Sequence, residues 1–315
     1  MTKELTEYLP NDLLEKYGIY IGFLAVFVFF CFMSPNFLSQ RNVFNIIVQS
    51  SVIAIIAIGE TIVISTGGID LSVGSVVALV SVALGLMLIS PLPIFLAVAF
   101  SILLGTAVGL VNGLIISYGN MPSFIVTLGM MSIAKGAALM LNGGQPVASL
   151  PMGFDKIATT DIFGVPIFVV YVIVAYSIMF IILNKHKLGR YIYAIGDNEG
   201  AARLSGINVK KIRTTSFVFG GLFAGIGAVM LTARLNYATP LSGSGFELDA
   251  IAAAVIGGTA LSGGKGSIVG TVVGALLLGT LKNGLTLMNV SSFFQQVIIG
   301  TVIILAVFVD KLRSQ

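Results

Sequence analysis

The two residue types that build most catalytic and metal centres are nearly missing. Cys31 is the only cysteine and His186 the only histidine. An intrachain disulfide and a thiolate metal cluster are therefore excluded, and a His-based triad or zinc site has no second member. Charge is also scarce, at 10% of residues against 57% hydrophobic, far from the balance of a soluble domain. Between Asn42 and Ala134 there is no Lys or Arg, and only Glu60 and Asp70 carry charge. Hydrolytic chemistry inside the membrane therefore finds little support, and no catalytic residue, cofactor or metal site is assigned to the chain.

What fills the sequence instead is apolar. Mean hydropathy is +1.03, and runs near the ~20 residues needed to span a hydrocarbon core recur along the whole length. The runs are continuous, without the alternation of a membrane barrel. The fold class is an all-α integral membrane protein of about ten transmembrane helices, in one domain over 1–315. They are expected near 17–33, 43–66, 72–90, 93–118, 122–141, 164–184, 214–234, 248–261, 267–288 and 292–310. Residues 1–16 mix acids and bases and lack a small-residue cleavage site. They read as a leader before a retained anchor, not a cleaved signal peptide.

The segment 185–213 carries seven basic residues, Lys185, Lys187, Arg190, Arg203, Lys210, Lys211 and Arg213, which places it in the cytoplasm. Six helices precede it and four follow, so both termini are expected inside. Lys3, Lys16, Lys265, Lys311 and Arg313 fall on that side too, against Arg41, Lys156 and Arg234 outside. Lys135 and Lys282 lie within helices near an outer end, where a long side chain snorkels to the interface.

A weak repeat runs through the chain. LLGT (103–106), NGL (112–114) and SF (123–124) recur in order as LLGT (277–280), NGL (283–285) and SF (292–293). Five helices separate the copies, so on this topology they face opposite ways, as in the inverted repeats of transporters. The same offset pairs the helix after GIDLSVGS with the one at FELDAIAA.

Polar residues in such a chain need reasons. Gly67 and Gly68 permit a break, and Asp70 with Ser72 can cap the next helix; Asp249 is read likewise. Capping is the first explanation for both, and lining of a water-filled break the functional one. Glu60, mid-run, either lines a pathway or gate or makes a structural hydrogen bond. Asn112 and Asn283 are lining candidates or bonds between packed helices. Arg234 is read as an outer-end salt bridge to Glu247 or Asp249.

In the basic loop, GDNEGAARLSGI (196–207) offers Asp197 or Asn198 as a cap, Glu199 in the first turn and Gly206 as a stop, enclosing about two turns of helix. A short capped helix there suits docking of a cytoplasmic protein. SGGKGS (262–267) fails the phosphate-loop pattern, with Thr259 where Gly is needed and Gly266 after Lys265.

GGIDLSVGS (67–75), GRYIYAIGDNEGAARLSGINV (189–209), ELDAIAAAVIGGTALSGGKG (247–266) and NGLTLMNVSSFFQ (283–295) closely resemble the permeases of ribose-type ABC sugar importers. The resemblance covers nearly everything from about residue 35. One departure is Glu60, where ribose permeases commonly have Met or Gln. The resemblance implies a bacterial inner-membrane permease for a monosaccharide such as ribose, working as a homodimer. It implies a cytoplasmic ATPase with two nucleotide-binding domains that holds ATP and Mg, a periplasmic or lipid-tethered sugar-binding protein, contact with membrane lipid, and no nucleic acid partner. On it, ATPase coupling falls to Gly196, Glu199, Ala202, Arg203, Leu204 and Gly206. The pathway or gate falls to Glu60, Asp70, Asn112, Asp249 and Asn283. An ion-coupled secondary transporter is the rival reading, with Glu60 or Asp70 as the coupling acid.

Overall fold

The computed structural model describes residues 11–313, so residues 1–10 of the expected leader lie outside it. In chain order come α1 (Asn11–Met33), α2 (Gln40–Ser65), α3 (Val73–Ile89), α4 (Ile94–Gly119) and α5 (Ser123–Leu141). A short α6 (Lys156–Thr159) and a small antiparallel hairpin, β1 (Asp161–Ile162) and β2 (Val165–Pro166), follow. The chain continues through α7 (Ile167–Lys185), α8 (Lys187–Asp197), α9 (Glu199–Leu204), α10 (Val209–Leu235), α11 (Phe246–Ile256), α12 (Ile268–Leu287) and α13 (Ser292–Arg313).

Each of the ten expected ranges holds a helix, with two corrections. The basic segment 185–213 contains α8, α9 and the first turn of α10, where a loop with one short helix was expected. The helix expected over 248–261 stops at Ile256, because Gly257 and Gly258 (φ +92°) turn the chain. By length and composition α2, α4, α5, α7, α10 and α12 are able to cross a membrane. With 11 residues, α11 rises only ~16 Å, about half of a ~30 Å hydrocarbon core. It is a half-helix.

Lipid offers no hydrophobic drive to bring helices together, so small residues and a few hydrogen bonds must do it. α2, buried from Ser50 to Ser65, and α10 form the centre. They touch backbone to backbone at Gly59 and Gly220, where a Cβ on Gly59 would lie 2.9 Å from the Gly220 Cα. α4 crosses α10 along Gly105, Gly109 and Gly113. α12 meets α2 through a 2.8 Å hydroxyl pair, Thr61 to Thr271, and α7 through Tyr176, whose hydroxyl donates to the Ala54 carbonyl at 2.8 Å. On the far side α1 closes over α12, with Phe30 lying on Gly284.

One end of the bundle carries α8 and α9. The other carries the 142–166 segment, tied to 236–245 by reciprocal backbone bonds between Val147 and Ala238 (2.8 and 2.9 Å).

Candidate functional site

The break between α2 and α3 is closed by side chains. Gly67 takes φ +76°, and the chain then runs through Asp70, whose Oδ1 accepts from the Ser72 amide (2.9 Å) and hydroxyl (2.6 Å). Asn112 of α4 donates to the Ser72 Oγ at 3.0 Å. The Ile69 and Leu71 amides donate to Ser123 and Thr127 of α5, both at 3.1 Å. The free backbone of a broken helix is thus satisfied by protein, as a membrane interior demands. Against expectation, Asp70 and Ser72 do not cap the donors of α3: Asp70 holds Ser72, the residue before the helix, and the Ser72 side chain makes no cap bond into it. The space around Asp70 and Asn112 has no room for a water molecule. Glu60 is fully buried, with its carboxyl group facing the backbone amide of Asp70.

The second break lies before α11. Gly245 (φ +84°) turns the chain into the helix, and Asp249 in its first turn accepts from the Lys282 ammonium of α12. Lys282 therefore points to a carboxylate rather than snorkelling to the interface. Arg234 lines the same small cleft. Of the two acids it was expected to bridge, Glu247 and Asp249, the second is held by Lys282, and Arg234 is in none of the three ion pairs among the described residues. Asn283 exchanges amide hydrogen bonds with Asn42 (2.9 and 3.0 Å), a bond between packed helices. Changing Lys282 to Met strands Asp249 with its side chain 6% exposed. Breaking such a pair costs about 3–5 kcal/mol, so the melting temperature of the purified variant in detergent should fall sharply. Adding Asp249→Asn should recover most of the loss; if the double variant melts no higher, the pair is not what holds α11.

At the α8–α9 end, the lone histidine is a cap: His186 Nδ1 accepts from the Leu188 amide at 3.2 Å. α8 buries Ile192 and Ile195 on one face. Asn198, the second of the two candidate caps, accepts from the Ala201 amide at 2.9 Å, and Gly206 stops the helix at φ +82°. Ala202 packs with Ile195 and Val209, while Leu204 at the tip is 92% exposed. Glu199 binds two guanidinium groups, Arg203 at 2.8 Å and Arg213 of α10 at 2.6 Å.

The hydrogen bond from Arg213 leads in holding the Glu199 carboxyl below its usual range, with Arg203 adding to it. A carboxyl depressed by folding contributes stability above its unfolded pKa, and loses it as pH falls through the folded value. The clamp on α9 should thus be constant at neutral pH and released in acid. Hydrogen exchange of 199–206 should quicken by about two- to fivefold in Glu199→Gln, the range of a partly exposed pair, and lose its acid dependence. Unchanged exchange in the variant would remove the clamp.

Gly196 does not face outward. A Cβ there would lie 2.1 Å from the Ser65 carbonyl oxygen and 2.3 Å from the Gly264 amide nitrogen. The Gly264 amide donates to Ser65 O at 3.1 Å, Tyr193 donates to Gly266 O at 3.3 Å, and Gly263 lies against Gly67. Three segments meet here: the end of α2, the end of α8 and the turn between α11 and α12. The SGGKGS stretch, which failed as a phosphate loop, is covered by α8 through these contacts.

Sequence reasoning missed α8, although Leu188, Ile192 and Ile195 at helical spacing mark it. It also missed a cavity of about 320 Å³ whose polar lining is Ser75, Ser132, Lys135, Ser242, Ser244 and Glu247. These residues come from four stretches of chain with no common motif.

A family model described as the permease component of the branched-chain amino acid transport system matches residues 42–307. The chain is 44% identical to the ribose import permease protein RbsC of Escherichia coli (strain K12), over 98% of this chain and 97% of the relative. It is 40% identical to RbsC of Bacillus subtilis (strain 168), over 96% and 95%. It is 35% identical to the galactose/methyl galactoside import permease protein MglC of E. coli (strain K12), over 95% of each. No solved structure matches it.

Proposed function

The chain belongs to the permease-component family matched over residues 42–307, and from that membership we propose that it forms the membrane pathway of an ATP-driven, binding-protein-dependent importer of a monosaccharide such as ribose. The observation that carries this is the 44% identity to a ribose import permease along essentially the full length of both chains. As a permease subunit it hydrolyses nothing itself. ATP and Mg are held by a separate cytoplasmic ATPase with two nucleotide-binding domains. A periplasmic or lipid-tethered protein delivers the sugar, and a second copy of this chain completes the pathway in the bacterial inner membrane, with both termini inside.

The geometry supports a way for the motor to act. The exposed tip of α9, with Leu204 and Arg203, is the surface offered to the ATPase. Behind it Glu199 clamps α9 to α10, and Gly196 sits on Ser65 and Gly264. Movement of α8–α9 is therefore passed by backbone contact to two places at once: the break before α3 and the turn after α11. These are the ends that would exchange inward and outward openings.

An inverted-repeat reading also gains support. In each of the pairs α3–α4 and α11–α12, the second helix holds the acid at the start of the first: Asn112 through Ser72 to Asp70, and Lys282 to Asp249. Asn112 and Asn283, next to Lys282, head the two NGL copies.

Reconstitution into liposomes with the partner ATPase and binding protein tests the function. Ribose uptake that requires ATP and survives ionophores is expected. Uptake that follows an ion gradient without ATP would overturn it in favour of the ion-coupled carrier, whose one support is the buried Glu60.

A further inference from the structure

Most polar groups in the bundle are already engaged. Asp70 and Asn112 bind Ser72 in a space without room for water, Asn283 is held by Asn42, and Asp249 by Lys282 beside a cleft of only about 60 Å³. A second sizeable cavity, about 260 Å³, is lined mainly by Ile, Val, Leu and Ala side chains, and offers a hydroxylated molecule little to bond.

The remaining cavity is different. α3 supplies Ser75, α5 supplies Ser132 and Lys135, the 236–245 segment supplies Ser242 and Ser244, and α11 supplies Glu247. Its volume of about 320 Å³ lies at the small end of the range for small-molecule sites. Glu247 reaches it only because position 74 has no side chain: a Cβ on Gly74 would overlap the Glu247 carboxylate, at 2.0 Å from Oε2. Lys135 and Glu247 line the same space, yet neither is in an ion pair among the described residues. Lys135 and Glu247 thus face one space without forming an ion pair, the carboxylate being held by the backbone amides of Gly245 and Glu247.

We propose that this cavity holds a neutral, polyhydroxylated sugar in transit, with Glu247 accepting from and Lys135 donating to its hydroxyls. The inference rests on the importer function proposed above and adds a place and a binding chemistry to it. Opposite charges facing one space favour a neutral solute, because an ion of either sign gains from one and is repelled by the other. Ionised partners make the stronger hydrogen bonds, and the serine hydroxyls can donate or accept as a ring turns. Met131 and Leu241 in the wall give the apolar face of a sugar ring something to rest on.

The test uses the complete complex in liposomes, with Cys31→Ser as background and ribose as the probe. Ser75→Cys and Ser244→Cys should react with a hydrophilic thiol reagent, and ribose delivered by the binding protein should slow that reaction several-fold. Met152→Cys, on the 142–166 segment, should show no such protection. Glu247→Gln and Lys135→Met should each lower ATP-driven ribose uptake about tenfold or more, as loss of a charged hydrogen-bonding group would. Glu247→Asp should restore part of it. Wild-type uptake alongside unprotected cysteines overturns the subsite and leaves the importer standing, as does wild-type uptake with undiminished Glu247→Gln and Lys135→Met. A wild-type complex that moves no ribose overturns both.

Discussion

Replacing Gly109 with valine is expected to leave little folded protein. A Cβ at position 109 would lie 2.3 Å from the Phe217 carbonyl oxygen and 2.9 Å from the Gly221 amide nitrogen. Those are backbone atoms of α10, so no side chain can swing aside. On the other helix a Cβ on Gly221 would lie 2.2 Å from the Gly105 carbonyl oxygen, and on α4 a Cβ on Gly113 would lie 2.8 Å from the Thr214 Cα. Separating α4 from α10 would also withdraw Asn112 from Ser72 and open the break before α3. Extra methylenes in an ordinary core cost about 1–3 kcal/mol; a clash against helix backbone along a whole crossing belongs above ~4 kcal/mol, among the exceptional losses. The monodisperse peak in detergent gel filtration should disappear. Gly136 on α5 is the control: nothing lies within 4 Å of a Cβ there, so Gly136→Ala should be neutral or stabilising by up to about 1 kcal/mol. A well-behaved Gly109→Val protein melting like the parent would refute the close crossing.

The second large effect is expected at Gly196, and it is functional. Valine there would have to displace either Ser65 or the Gly263–Gly264 turn, breaking the bond from the Gly264 amide to Ser65 O. α8 would then ride away from the break before α3 and from the turn after α11. In the reconstituted complex, sugar moved per ATP hydrolysed should fall by more than about tenfold, the factor carried by ~1.4 kcal/mol of lost coupling. Leu204→Ala makes the contrast. Its side chain stands free at the tip, so that change should weaken ATPase binding and leave sugar moved per ATP near the parent's in whatever complex assembles. A Gly196→Val complex with parental stoichiometry would show that force does not pass through this junction.

The two positions were unequally legible. Gly196 lay inside a motif that read as a docking surface, and the fold places it on the chain's own backbone. The short helix α9 itself was readable, because capping chemistry is local: Asn198, Glu199 and Gly206 act within one or two turns. Gly109 belonged to the LLGT–NGL segment, noticed as a repeat without any hint of what it would touch. Asn112 and Asn283 stood in matched copies of that repeat, yet one reaches a helix break and the other a neighbouring amide.

The sequence alone determined the solvent, the class and most of the helices. Hydropathy acts residue by residue, and a run of apolar side chains in lipid has only a helix in which to satisfy its backbone. It also determined where the two breaks fall, since glycine before an acid is local chemistry. The tertiary structure alone decided which acid meets which base, turning Lys282 from a presumed interfacial side chain into the partner of Asp249. It decided that α11 is half a span, and that six polar residues from four stretches of chain share one cavity. Those outcomes depend on how closely glycine lets one backbone approach another, a distance between remote segments that no single stretch of sequence contains.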